Sequence, residues 1–187
     1  MPDVREALLD AAYDAAVTTG WQRARMADVA SAANVSRQTL YNEFRDRDGL
    51  ALHLALRETS RFLDGVERAM DRYAGDVVEA FEAAATFALK QADNNPLIRS
   101  ILTETGDDGL LPFMTTRAEP LLEAAKPRLV GYLSKHWPAV DSNAADEAAE
   151  VAIRLVLSYI VLPGPTPQAA PRRIAAVAAT VLERSQV

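Results

Sequence analysis

The chain of 187 residues has no cysteine and only two histidines, His53 and His136. Disulfide staples and thiolate metal centres are therefore excluded, and two imidazoles so far apart in the chain form no zinc-binding spacing. Neither a metal nor any other cofactor is expected. No apolar run reaches the roughly 18 residues that would mark a membrane-spanning helix. The opening Met1-Pro2-Asp3-Val4-Arg5 is not the basic segment leading into an apolar stretch that a secretory leader shows. These absences predict a cytoplasmic protein with no membrane partner. The chemistry of catalysis is missing as well: no Gly-rich phosphate loop after a strand, no nucleophile elbow and no paired carboxylate–histidine spacing. An enzyme is not expected.

What is present is 49% apolar and 25% charged. A chain of this size buries roughly 70% of the surface its unfolded form exposes, enough for a core without staples. The net charge is −6, which argues against a uniformly basic surface, yet a global sum hides local asymmetry. In residues 1–20 Arg5 stands against Asp3, Glu6, Asp10 and Asp14, a local balance of −3. In residues 21–47 Arg23, Arg25, Arg37, Arg45 and Arg47 outnumber Asp28, Glu43 and Asp46, a local balance of +2.

Apolar residues recur at helical spacing nearly throughout, and no strand pattern stands out. Val4, Leu8, Ala11, Ala12 and Ala15 predict a helix over about 4–19, opened by Asp3 with Glu6 and stopped by Gly20. Met26, Val29, Ala30 and Ala33 make a short second stripe. Asn34-Val35 breaks it, and Ser36 offers a hydroxyl cap to a third helix carrying Leu40 and Phe44. Asp46 to Gly49 interrupts before a long amphipathic stretch from Leu50 to Tyr73. Further helices begin after Gly75-Asp76 and at Pro96, and Thr105 to Gly109 reads as a loop. Between Leu110 and Trp137, Pro112, Pro120 and Pro127 predict breaks or kinks rather than one straight rod. Residues 142–162 form a helix so apolar that it needs cover on several sides, and residues 171–184 form the last. The expectation is an all-α fold of about nine helices: a helix-turn-helix domain over 1–48 and a helical bundle over 49–187.

Residues 26–44 have the layout of a helix-turn-helix whose second helix carries Arg37, Gln38, Thr39, Tyr41 and Asn42 outward. Arg pairs with guanine through two parallel bonds, Gln or Asn does the same with adenine, and Thr or Tyr hydroxyls reach phosphates or pack on a thymine methyl. Arg47, near the start of the following helix, adds charge where free backbone N–H groups also attract phosphate. An ordinary helical hairpin with a solvated face is the competing reading, and composition alone leaves the two evenly matched.

The segments Asp28-Val29-Ala30, Ala33 to Phe44 and Asp46-Arg47-Asp48-Gly49-Leu50 resemble the DNA-binding region of TetR-family transcriptional regulators, with Val-Ser-x-x-Thr-Leu-Tyr-x-x-Phe as the specific core. The resemblance implies three DNA-binding helices followed by further helices for ligand binding and dimerisation. It implies base contacts from Arg37 and Gln38, phosphate or methyl contacts from Thr39, Tyr41 and Asn42, and a phosphate contact from Arg47. Val35, Leu40 and Phe44 would form the motif's core. Two positions depart from the pattern. Ala24-Arg25-Met26 stands where a capping Thr or Ser is common, so that phosphate contact is lost or passes to Arg25. Asn34 replaces the turn glycine, and Asn tolerates the left-handed conformation.

Beyond residue 50 the Leu110-to-Trp137 and Arg154-to-Leu162 segments are similar to actinobacterial regulators found beside alkane-hydroxylation genes, implying an alkyl or fatty-acyl effector. Phe81, Leu102, Phe113, Met114, Tyr132, Trp137 and Tyr159 are large, and several adjoin helix breaks, where a pocket for a small hydrophobic effector is expected; any single one of them is more often plain core. Arg154, inside an apolar helix, should meet Glu104, Glu150 or a ligand head group, and His136 is either a ligand contact or a satisfied surface histidine. The two last helices should form a homodimer surface. Two-fold symmetry then implies an inverted-repeat operator on double-stranded DNA. The alternative is a helical protein-interaction module without sequence-specific DNA binding.

Overall fold

In a computed structural model, residues 3–103 and 110–184 are described, and among them every regular element is helical. The α-helices are α1 (Val4–Thr19), α2 (Met26–Ala32), α3 (Arg37–Phe44), α4 (Arg47–Met70), α5 (Val77–Asn94), α6 (Pro96–Thr103), α7 (Glu119–His136), α8 (Ser142–Val161) and α9 (Ala170–Arg184). The all-α expectation holds, with the expected number of helices among the described residues. The Thr105–Gly109 loop and the candidate effector residue Glu104 lie outside them.

Helix starts are set by short polar side chains that take up free backbone N–H groups. The Asp3 carboxylate accepts from the Arg5 N–H at 3.0 Å and Ser36 Oγ from Thr39 at 3.0 Å. Asp76 accepts from Val78 and Glu79, Asn95 from Leu97 and Ile98, and Asp141 from Asn143 and Ala144. Each such cap contributes about 1 kcal/mol. Helices α2 and α7 differ: their cap residues, Arg25 and Ala118, make no side-chain capping bond, the first as the Ala24-Arg25-Met26 departure implied. The break expected between Leu110 and Trp137 is present: a short 3-10 turn over Leu111–Met114 ends before α7 begins at Glu119. Pro112 and Pro120 sit in first turns, where the missing N–H costs nothing. Pro127 lies inside α7, which continues through it to His136. Its ring removes one backbone hydrogen bond and crowds the carbonyl four residues earlier, and Ala125 and Leu129 on either side are buried.

The chain groups into two compact units, 1–58 with 95–117, and 59–94 with 118–187. The first holds α1, α2, α3, the start of α4, and α6. Its buried side chains include Leu8, Leu9 and Ala12 of α1, Trp21, Val29 and Ala30, Leu40 and Phe44 of α3, and Leu50 and Leu54 of α4. Arg57 ties α4 to α1, donating to Asp10 at 2.8 Å, to Glu6 at 3.3 Å and to the Leu9 carbonyl at 3.2 Å. In the second unit α9 packs on α5 and α8, and α7 packs on α8. The contacts are lined by alanine: Ala80, Ala84 and Ala85 of α5, Ala144, Ala145, Ala148, Ala149 and Ala152 of α8, and Ala175 and Ala178 of α9. Small side chains let helix axes approach closely, so the burial expected for α8 is met along this stripe. Leu162, at its end, is 77% exposed and Val177 on α9 is 43% exposed.

Gly49, in the first turn of α4, has the Phe44 carbonyl directly behind it. An added Cβ would lie 2.0 Å from that oxygen, and backbone cannot move aside as a flexible side chain can. Gly49→Ala is expected to lower stability by about 1–3 kcal/mol, read as a fall in the thermal unfolding midpoint by circular dichroism. Gly131→Ala, where nothing lies within 4 Å, is expected to leave the midpoint unchanged or raise it, because exposed helix interiors favour Ala.

Candidate nucleic-acid interface

The turn between α2 and α3 reverses through Asn34, whose φ of 56° is the left-handed value expected of it. The Asn34 N–H donates to the Ser31 carbonyl and the Val35 N–H to the Ala30 carbonyl, both at 3.0 Å, closing the end of α2. Ser36 then opens α3 through its bond to the Thr39 N–H, and the two hydroxyls are 2.9 Å apart. Eight residues are too few to hold a helix alone in water. Burial does it here: Leu40 and Phe44, four apart, are 0% and 3% exposed.

Phe44 is gripped from two sides. The Arg5 guanidinium lies over its ring, 4.8 Å from the centroid, and also donates to the Glu43 carbonyl at 3.3 Å and the Glu43 carboxylate at 3.4 Å. The His53 ring of α4 stands 5.5 Å away. With α1 and α4 holding its inner edge, α3 turns Arg37, Gln38, Tyr41 and Asn42 to solvent, Tyr41 being 45% exposed. Thr39 is half-buried beside them. Gln38 Nε2 donates to Asn42 Oδ1 at 2.9 Å.

The junction with α4 is tight. Arg45 has φ 69° and ψ −56°, and the Asp46 N–H reaches back to the Phe44 carbonyl at 2.7 Å. This is a γ-turn of positive φ, a strained form for a side-chain-bearing residue that costs about 1–3 kcal/mol. The Asp46 carboxylate accepts the Gly49 N–H at 2.7 Å, so the interruption expected over Asp46–Gly49 is shorter, and α4 begins at Arg47. Arg47 is directed at least partly inward. Its Nη2 donates to the Trp21 carbonyl, its guanidinium lies 5.4 Å from the centroid of the Trp21 ring, and its Nε is buried without a hydrogen-bond partner. Arg25 and Arg45 are exposed. In the sequence Arg45 is only one of a basic stretch; the one-residue turn that presents it leaves no signal in composition.

The residues expected around an effector divide between the two compact units. In the first, Phe113 is buried under the Arg117 guanidinium at 4.7 Å, Met114 is half-buried, and Leu102 is 36% exposed. In the second, Phe81 is in the core and Tyr159 packs at its edge. Tyr132 stacks on His136 at 4.3 Å, with Trp137 at 6.2 Å, and its hydroxyl donates to Asp71 at 2.9 Å. Burial and then Asp71 push the Tyr132 hydroxyl well above the usual tyrosine range.

Arg154 corrects an expectation. It is not enclosed by the apolar residues of α8 but 60% exposed, and its Nε donates to Glu150 at 2.9 Å. Lys126 of α7 joins the same group, at 3.0 Å from Asp146 and 3.5 Å from Glu150. Arg154 first, and Lys126 after it, hold the Glu150 carboxyl below the usual carboxylate range. Glu150, Arg154 and Ser158 recur every four residues and so share one outward stripe; neighbours in sequence had made Arg154 look enclosed.

Comparison with known proteins agrees with the geometry. Residues 8–54 match the model of bacterial regulatory proteins of the tetR family, and residues 76–180 match that of the bacterial tetracycline repressor C-terminal domain. The HTH-type transcriptional regulator AlkX of Mycobacterium tuberculosis is 36% identical over 160 residues, 86% of this chain and 76% of that protein. The crystal structure of the TetR-family repressor AlkX from Dietzia sp. strain DQ12-45-1b, implicated in biodegradation of n-alkanes, superimposes with a TM-score of 0.80 at 32% identity, covering 98% of this chain and 96% of that one. The FadR repressor of Thermus thermophilus in complex with lauroyl-CoA shares the fold, with a TM-score of 0.61 at 18% identity over 98% of this chain and 95% of that one.

Burial, and after it the Arg5 charge, hold the His53 imidazole below its ordinary range. A lowered pKa means the unfolded chain takes up the proton first as pH falls. The stability His53 contributes is therefore present above about pH 6.5 and lost on acidification through its folded value. His53→Gln is expected to show a shallower decline in unfolding midpoint between about pH 7 and 5 than the native chain, measured by thermal melts across that window. Parallel declines would contradict this assignment.

Proposed function

Because the chain belongs to the tetR family of bacterial transcriptional regulators, with an N-terminal DNA-binding domain, we propose that it acts as a homodimeric repressor, released from an inverted-repeat operator by a small hydrophobic effector. The observation that carries this reading is the division of α3: Leu40 and Phe44 are buried while Arg37, Gln38, Tyr41 and Asn42 face solvent. Those exposed groups are the donors, acceptors and planar surfaces that base edges and phosphates require. Arg37 and Gln38 read bases, Thr39, Tyr41 and Asn42 contact phosphates or thymine methyls, and Arg25, Arg45 and the remaining donors of Arg47 supply phosphate contacts.

The exposed Leu162 and Val177 and the half-buried Val151 and Leu157 support dimerisation through α8 and α9. A two-fold axis there sets two α3 helices on half-sites about 34–36 Å apart, or somewhat further on widened DNA. The effector is an alkyl or fatty-acyl compound, a reading supported by the similarity to AlkX; in the second unit Phe81, Tyr132, His136 and Tyr159 are the groups proposed to face it. Such a molecule acts only by binding the DNA-incompetent geometry more tightly than the competent one.

The test is a fluorescence-anisotropy titration against the DNA upstream of the protein's own gene. Arg37→Ala and Tyr41→Ala are expected each to weaken operator binding by roughly 5- to 150-fold while the unfolding midpoint stays within about a degree of the native value. Affinity should fall steeply with added salt as condensed counterions are released. Unchanged affinity in both variants would remove Arg37 and Tyr41 from recognition, whereas absent or salt-independent binding by the folded native protein would leave the chain a helical interaction module instead.

A further inference from the structure

The hydrogen bond from Gln38 Nε2 to Asn42 Oδ1, at 2.9 Å across one turn of the exposed face of α3, does more than join two polar side chains. We infer that Asn42 is a positioning residue that fixes the Gln38 amide in the orientation that reads an adenine in the operator major groove. The inference deepens the proposed function and rests on that reading.

A primary amide carries two protons on one nitrogen, one beside the carbonyl oxygen and one facing away from it. When the outer proton is donated to Asn42, the inner proton and Oε1 remain side by side. They form a donor–acceptor pair pointing in one direction. Adenine presents the matching edge, an N7 acceptor beside an N6 donor, whereas guanine presents two acceptors. Gln38 held this way meets adenine with both bonds made; against guanine its Oε1 faces the O6 oxygen. A free glutamine amide can turn over, exchanging oxygen for nitrogen, and then offers its N–H where Oε1 stood. Asn42 removes that freedom once its own Nδ2 is held by a phosphate, because its oxygen then faces Gln38 and accepts from a nitrogen and not from another oxygen.

The position of Asn42 suits the task. It lies four residues after Gln38, the spacing that brings side chains together on a helix surface. Both are exposed, so the pair stands ready before DNA arrives, and less side-chain freedom is lost on binding. The Asn42 Nδ2 group keeps its own donors for a phosphate.

The experiment selects bound sequences from a randomised half-site library using the full-length native protein, Gln38→Ala, Asn42→Ala and Asn42→Asp. Native protein is expected to prefer adenine at one position by about 5- to 150-fold. Gln38→Ala should lose that preference, and Asn42→Ala should reduce it severalfold at the same position. Asn42→Asp retains an acceptor oxygen, so it should restore the adenine preference while weakening binding uniformly through its negative charge. Preference undiminished in Asn42→Ala, or lost at a different base pair from that of Gln38→Ala, would overturn the positioning role while leaving DNA binding intact. Failure of the native protein to select any sequence would overturn the proposed function itself.

Discussion

Everything the outer face of α3 offers depends on where Leu40 and Phe44 are held. A two-turn helix has little stability of its own, and its direction is set by whatever buries its apolar edge. Phe44 is caught between Arg5 of α1 and His53 of α4, and Leu40 is wholly enclosed. The helix thus has one way to lie, and its polar side chains inherit that direction. Recognition of a duplex needs such pre-set geometry, since each side chain ordered only on binding subtracts from affinity.

The first unit also accepts local costs at the α3–α4 junction. Arg45 adopts a positive φ although it is not glycine, and the Arg47 Nε is buried without a partner. Both sit within three residues of Phe44, where the chain must turn at once to start α4 over the Phe44 carbonyl. Gly49 permits that close approach, and the Asp46 carboxylate secures it. Strain of this kind persists only where surrounding contacts over-determine it. Here Arg5, His53 and Trp21 supply those contacts, and the result is to place Arg45 in solvent at the end of α3.

Much of this was legible from residue order. The cap at Ser36, the left-handed Asn34 and the inward pair Leu40 and Phe44 follow from local rules that act over three or four residues. So do the bounds of α1 and the absence of a side-chain cap on α2. What escaped was set by longer-range or finer geometry. Arg154 looked enclosed because its neighbours in sequence are apolar, yet the helix turns residues 150, 154 and 158 to one side. Arg47 looked free for phosphate because nothing in the sequence brings Trp21, 26 residues earlier, beneath it. Of the prolines expected to break or kink the chain between Leu110 and Trp137, Pro127 lies inside α7, while the break falls before Glu119. The bond between Gln38 and Asn42 was within reach of the four-residue spacing, though each was weighed there only as a contact with DNA.

The central claim is that α3 lies in the major groove of both halves of a symmetric site. Dimethyl sulfate footprinting of the operator tests it most directly, because the reagent methylates guanine N7, which lies in the major groove. Protection is expected in two clusters about 10 base pairs apart, or slightly more, on one face of the duplex. Protected guanines in a single cluster, or N7 atoms left fully reactive beneath a bound protein, would contradict it.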